Sequence, residues 1–85
     1  MPPIDLQDAA KLDEKNKDLI RARQSLIEEL DAINVYEERI QATADEALKR
    51  VLIHNRDEEK EHAAMLINYL RENDPIFDRK FEEHD

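Results

Sequence analysis

The sequence predicts an all-α fold, an antiparallel two-helix hairpin with a short C-terminal helix, whose open face a second copy completes into a four-helix bundle. Three observations predict it. There is no glycine in 85 residues, so the turns that strand-rich folds need are missing. Leu12, Leu19, Leu26, Ile33 and Ile40 recur every seven residues, the period of a helical stripe. The charged fraction is 41% and the mean hydropathy is −0.87, so the chain can bury only a thin core unless another chain covers its apolar faces.

The first helix is predicted over about 6–42, where Ile20, Ile27 and Leu30 widen the seven-residue stripe. Thr43, followed three residues later by Glu46, has the form of a capping box, which implies a short turn around 41–44. The second helix is predicted over about 45–72. It ends at Asn73-Asp74-Pro75, because proline cannot continue the hydrogen-bond ladder and disfavours helical geometry in the residue before it. Asp74 can cap, and Pro75 can open, a third helix over about 75–83 that carries Ile76, Phe77 and Phe81. A turn this short forces the two long helices back on each other. With no linker, repeat or low-complexity segment, residues 1–85 are expected to form one half-bundle domain.

Composition excludes several function classes. Without cysteine there is neither a disulfide framework nor a thiolate metal site, so any metal must be held by oxygen and imidazole. No apolar stretch approaches the roughly 20 residues that span a bilayer. Met1-Pro2-Pro3 lacks the basic and apolar regions of a signal peptide. A soluble, cytoplasmic protein is expected. The net charge of −9 argues against nucleic acid or an anionic membrane as partner.

The informative residues are acids on the wrong face. On the second helix Leu48, Leu52, Asn55, Glu59, His62, Leu66 and Tyr69 alternate by four and three, the spacing of a packing seam, with Glu59 and His62 in its middle. On the first helix Glu29 is bracketed by Leu26, Leu30 and Ile33, with Ala22 and Tyr36 seven residues to either side, whereas Glu28 and Asp31 face the other way. A core-facing carboxylate needs a cation, and Arg23 and Arg39 stand at the wrong spacing to supply one. A lone Glu-x-x-His is more often an exposed polar pair. Together with Glu29, however, Glu59-x-x-His62 is one half of the ligand set of ferritin-like di-iron bundles. A two-fold axis would supply the other half. The resulting four carboxylates would balance two divalent ions. Such oxygen-rich ligands with one imidazole per metal suit iron or manganese, and admit zinc and cobalt.

Over roughly residues 20–82 the chain resembles the encapsulated ferritins, two-helix ferritin relatives packaged in encapsulin compartments. The resemblance is strongest in Glu28-Glu29-Leu30-Asp31-Ala32, in Tyr36, and from His54-Asn55-Arg56-Asp57 through Glu58-Glu59-Lys60-Glu61 to His62-Ala63-Ala64-Met65. It implies a ferroxidase that oxidises ferrous iron with dioxygen at an intersubunit di-iron centre. It further implies an annular decamer of five metal-bridged dimers, and delivery of iron to an encapsulin shell in the cytoplasm, because the small chain encloses no storage cavity. By the same resemblance Glu29, Glu59 and His62 are the ferroxidase ligands, Glu59 bridging the irons and His62 capping each one. Tyr36 falls beside the site, where ordinary core packing is the competing explanation. Glu28 and Asp31 match acids that guide metal inward, and His54, Glu58 and Glu61 match peripheral metal contacts. A solvated acidic face explains these five as well. Calcium, zinc, cobalt or manganese could substitute for iron or occupy such secondary sites.

Two positions depart from the family pattern: Val35 stands where an aromatic residue is expected, and Asp31 replaces a longer glutamate. No apolar targeting peptide follows before Asp85, so loading into a shell is expected to use a trimmed segment or another route. His84 is expected to be an exposed tail residue. Two further readings remain: a metal-independent acidic helical oligomer or adaptor, and another di-metal oxidoreductase such as a peroxidase, which would lack its accompanying rubredoxin-type cysteines.

Overall fold

The computed structural model describes residues 6–85, with side chains from residue 14 onward. Helix α1 spans Leu6–Ala42, α2 spans Glu46–Asn73 and α3 spans Pro75–Glu83, and the described residues contain no strand. The fold is therefore the all-α hairpin with a short C-terminal helix that the sequence predicts. At 1.5 Å per residue α1 is about 55 Å long, and it sets the longest dimension of the molecule, 63 Å.

The turn between the long helices is capped differently from expectation. Asp45, not Thr43, is the N-cap of α2: its carboxylate accepts from the backbone N–H groups of Ala47 at 2.9 Å and Leu48 at 3.2 Å. Thr43 instead accepts from the Asp45 N–H at 3.1 Å and holds the cap in place. An ionised carboxylate is the stronger acceptor for a helix N-terminus, and it also complements the helix dipole. Asp74 works at both of its flanks. Its N–H donates to the Leu70 carbonyl at 2.8 Å, closing α2, and its side chain accepts from Phe77 N–H at 3.1 Å, opening α3.

Each long helix turns one row inward. On α1 the buried or half-buried row is Leu19, Ala22, Leu26, Glu29, Ile33, Tyr36 and Ile40; the side chain of Leu12 lies outside the described residues. On α2 the row is Leu52, Arg56, Glu59, Ala63, Leu66 and Leu70. This corrects the expected seam, of which Leu48, His62 and Tyr69 are exposed. The expected seam is anchored on Leu48, Leu52, Leu66 and Tyr69. The observed row keeps Leu52, Glu59 and Leu66 but takes Arg56, Ala63 and Leu70 one position on from Asn55, His62 and Tyr69, because Ala63 is small enough for close approach and Arg56 can bury its stem while its charged head reaches a partner. Ile20, Ile27 and Leu30, expected to widen the stripe of α1, are exposed as well.

The tightest packing lies where all three helices meet. Leu19, Ala22 and Leu70 form the buried cluster, with Leu26 and Phe77 against it, and Leu70 is only 1% exposed. Phe77 meets Phe81 edge to face at 5.1 Å between centroids. Arg71 lies 4.8 Å over the Phe81 ring and pairs with Asp78 at 2.7 Å, which fastens α3 to the end of α2. Farther along, Lys15 donates to Asn73 at 3.0 Å, and Arg56 pairs with Glu37 at 2.9 Å. These contacts fix the antiparallel register that carries α1's mid-row acid to α2's Glu-x-x-His.

Candidate metal centre

Glu29 sits midway along the inward row of α1, and Glu59 holds the matching place on α2. His62 is one turn after Glu59, on the edge of the row, so its ring can reach both carboxylates while one side stays open to solvent. Its Nδ1 lies 3.4 Å from Glu59 Oε2 and 3.5 Å from Glu29 Oε2. One donor atom from each residue falls within 4.8 Å of the other two. The Glu29 and Glu59 side chains are 25% and 23% exposed, and His62 is 47% exposed, so the group is closed on the hairpin side and open on the other.

The electrostatics of the metal-free group are strained. Glu29 Oε2 is fully buried and accepts no hydrogen bond, its contact with His62 Nδ1 at 3.5 Å being an ion pair without hydrogen-bond geometry. The neighbouring Glu59 carboxyl, with which Glu29 can share a proton, holds Glu29 above the usual carboxylate range; burial and the Glu59 charge push the same way, against His62. Burial pulls His62 toward the neutral form, yet the Glu59 hydrogen bond and the charges of Glu29 and Glu59 prevail and raise it. Without metal, a proton on imidazole does part of the work a cation would do. A divalent ion seated among the three atoms would release that proton, give the buried Glu29 oxygen a direct partner and neutralise the two acids. The donor set fits a hard or borderline metal.

The structure places the other sequence-predicted residues as follows. Tyr36 is half-buried on the same row as Glu29, two turns along, with the Arg39 guanidinium 6.0 Å from its ring centroid. Glu28 and Asp31 are exposed on α1, off the inward row. His54 and Glu58 pair at 3.4 Å one turn apart on exposed surface, and Glu61 is exposed beyond them. Among the described residues, the three-ligand cluster brings together Glu29, Glu59 and His62 and none of these six. Val35 and His84 are exposed, and His84 caps the end of α3. Sequence reasoning missed Arg56 by reading it as one member of a charge run. Its spacing of three before Glu59 and seven before Ala63 was the available signal. Missed too was an apolar notch lined by His62, Met65, Leu66 and Tyr69, which adjoins the open side of the cluster.

Comparison with known proteins agrees with this architecture. The chain is 48% identical over 69 residues to the "Ferritin-like protein" of Thermotoga maritima, which covers 81% of this chain and 60% of that protein. It is 50% identical over 64 residues to the "Encapsulated ferritin-like protein" of Rhodospirillum rubrum, covering 75% of this chain and 43% of that one. The chain thus spans about half the length of the curated relatives it matches. The crystal structure of protein ne0167 from Nitrosomonas europaea superposes with a TM-score of 0.77 at 50% identity, covering 80% of this chain and 75% of that one. A sequence profile of the EncFtn-like family matches residues 5–84, and this chain belongs to that family.

Proposed function

We propose that this protein is a ferroxidase: it binds ferrous iron as substrate and passes its electrons to dioxygen at a centre built from two copies of the chain. The observation that carries the proposal is the fully buried Glu29 Oε2, which accepts no hydrogen bond and lies 3.5 Å from His62 Nδ1, inside a cluster completed by Glu59. An acid in that position destabilises a purely structural hairpin, and is explained by a cation that arrives later. The encapsulated relative, itself named ferritin-like, supports iron as that cation.

The open side of the cluster supports a second copy. Val51, Met65 and Tyr69 are exposed on the stripe of α2 that carries His62, spaced so as to flank it on both sides. A second chain related by a two-fold axis would cover these side chains and bring its own Glu29, Glu59 and His62 to the same place. The four-helix bundle would then be complete, and the ferritin-like half-bundle of residues 1–85 would be its repeating unit. Glu29, Glu59 and His62 of both chains would hold the two ferrous ions, the carboxylates from the half-buried side and the imidazoles from the side that faces the second copy. Two ferrous ions would each give up one electron, and one dioxygen would take both electrons with two protons from solvent to leave as hydrogen peroxide; the protein's own residues fix the spacing, exclude water on the hairpin side and neutralise charge. Tyr36 packs in the same row and is assigned to the catalytic surroundings. Glu28 and Asp31, with His54, Glu58 and Glu61, offer exposed acids and imidazole that attract cations toward the centre or hold them peripherally. The family relationship supports, as part of the same proposal, assembly of such dimers into a ring of ten and handover of ferric iron to an encapsulin shell in the cytoplasm. Manganese, cobalt, zinc or calcium would compete for the same donors.

Anaerobic addition of ferrous iron followed by air tests the reading. Rapid ferric absorbance is expected from the parent chain and none from Glu59→Ala with its helices intact; oxidation at the parent rate by that variant would refute it. A metal-independent oligomer gives no rapid phase at all, and a peroxidase-type enzyme turns over with peroxide in place of dioxygen.

A further inference from the structure

Arg56 is a half-buried cation in the packing row of α2, one turn before Glu59. Its guanidinium uses three nitrogens. Nη1 donates to Glu37 Oε1 of α1 at 2.9 Å, while Nε and Nη2 both donate to Asp57 Oδ1 at 3.1 Å. The Arg56 side chain is only 22% exposed, against 38% for Glu37 and 59% for Asp57. Of the two arginine ion pairs among the described side chains that tie α1 to later residues, Arg56–Glu37 is the shorter; the other is Arg23 with Asp74 at 3.9 Å. It lies on the turn side of the cluster, and Glu37 follows Tyr36 directly.

A positive charge so close to a cation site is a liability by itself. The geometry answers that in two ways. Two carboxylates neutralise the guanidinium, so its field opposes an incoming cation far less than a free arginine would. The planar fork, held by Asp57 on its own helix and by Glu37 on the other, resists sliding of α2 along α1. A slip of one residue would move Glu59 and His62 by 1.5 Å along the axis and about 100° around it, enough to separate them from Glu29.

We propose that Arg56 is a positioning residue for the metal centre: locked to Asp57, it grips Glu37 and sets the interhelical register in which Glu29 meets Glu59 and His62. This rests on the reading of those three residues as metal ligands. The alternatives predict opposite signs. If Arg56 acted only as a nearby charge, a neutral replacement would tighten cation binding. If it positions, the same replacement weakens it.

The test uses Co²⁺ as a redox-inert probe, titrated into the full chain by calorimetry and by visible absorption, which reports ligand geometry. Arg56→Met keeps the apolar stem and removes the fork. It is expected to lower Co²⁺ affinity about tenfold, the low end for residues that orient ligands, and to alter the absorption band while the circular dichroism stays helical. Arg56→Lys keeps the charge without the fork and should weaken binding several-fold. Glu37→Ala should weaken it comparably, and the Arg56→Met/Glu37→Ala double variant should be no worse than either single one, because both remove the same contact. Affinity unchanged or tighter in Arg56→Met, or additive losses in the double variant, overturns the proposal. Should Arg56→Met fail to fold, the lysine and alanine variants decide the matter on the same titration. A parent chain whose Co²⁺ binding is indifferent to Glu59→Ala would refute the ligand assignment itself, a different result from either.

Discussion

Replacing Glu29 by leucine should make the metal-free protein more stable and the metal-loaded protein less so. Glu29 Oε2 is buried without a hydrogen bond, a condition that costs about 1–3 kcal/mol. The carboxyl also stands against Glu59, which holds its ionisation back. A leucine there would join Leu26 and Ile33 in the row of α1 and remove both penalties. The quarter of the Glu29 side chain that remains exposed argues for the middle of the range, about 2 kcal/mol. For a chain of this size that raises the melting temperature by roughly 10 °C. With metal at about 1,000 times its dissociation constant, the parent gains about 4.1 kcal/mol by mass action and the variant gains nothing from the lost site. The order of stabilities therefore reverses, the parent leading by about 2 kcal/mol. Thermal melts of both proteins at one protein concentration, first in chelator and then in excess Co²⁺, read out all four states. A Glu29→Leu variant that melts below the parent in chelator would refute the claim that this acid is strained without metal.

Leu70→Ala opens a cavity where α1, α2 and α3 meet, against Leu19, Ala22 and Phe77. It should cost about 3 kcal/mol, seen as a lower urea midpoint; a loss under 1 kcal/mol would mean that this cluster is not the anchor of the fold. The metal-free protein should also lose stability as pH rises from below 4.5 through the raised titrations of Glu29 and His62. Glu29 and His62 are both raised from their ordinary values of 4.5 and 6.5, so the folded chain holds protons that the unfolded chain has released. The stabilisation is complete below those ordinary values and disappears as pH climbs through the raised ones. Metal should reverse the slope, because binding expels the same protons. Melting temperatures measured across that range, with and without Co²⁺, check the sign, and a rising metal-free curve would contradict it.

The helices were legible because their signals are local. Absence of glycine, a seven-residue leucine and isoleucine repeat, and Pro75 after Asp74 each act within a turn or two of the chain. The capping of α2 was less legible, since Thr43 and Asp45 both precede the helix and only the backbone path decides which side chain reaches the free N–H groups. The face of α2 was misplaced by about one position for a similar reason. Apolar spacing identifies a seam of Leu48, Leu52, Leu66 and Tyr69, but a chain packing against one neighbour buries only the narrow row through Ala63, where small size matters more than hydrophobicity. Glu29, Glu59 and His62 could be singled out despite that shift, because acids among leucines are costly on either side of the seam. Arg56 was not, since a cation that finds its partner on another helix looks, in sequence, like one more charge in a charged run.

That one-position shift bears on why the centre would need two chains. Had His62 faced α1 squarely, a single hairpin could enclose all three donors, and association would add little to binding. Instead His62 stands half exposed at the edge with Val51, Met65 and Tyr69 bare beside it, so one chain offers an ion three ligands and an open wet side. Each chain also carries a net charge of −9, so two of them repel before any apolar contact forms. Under the proposed reading, divalent ions on the shared axis remove part of that repulsion at the point of contact, and the partner's side chains remove the water that weakens the ion's bonds. Each event lowers the cost of the other by the same free energy, as linkage requires. The coupling between metal affinity and self-association is then one quantity measured two ways. Substitutions at Met65 or Tyr69 should weaken metal binding although neither residue offers a ligand to the metal-binding triad.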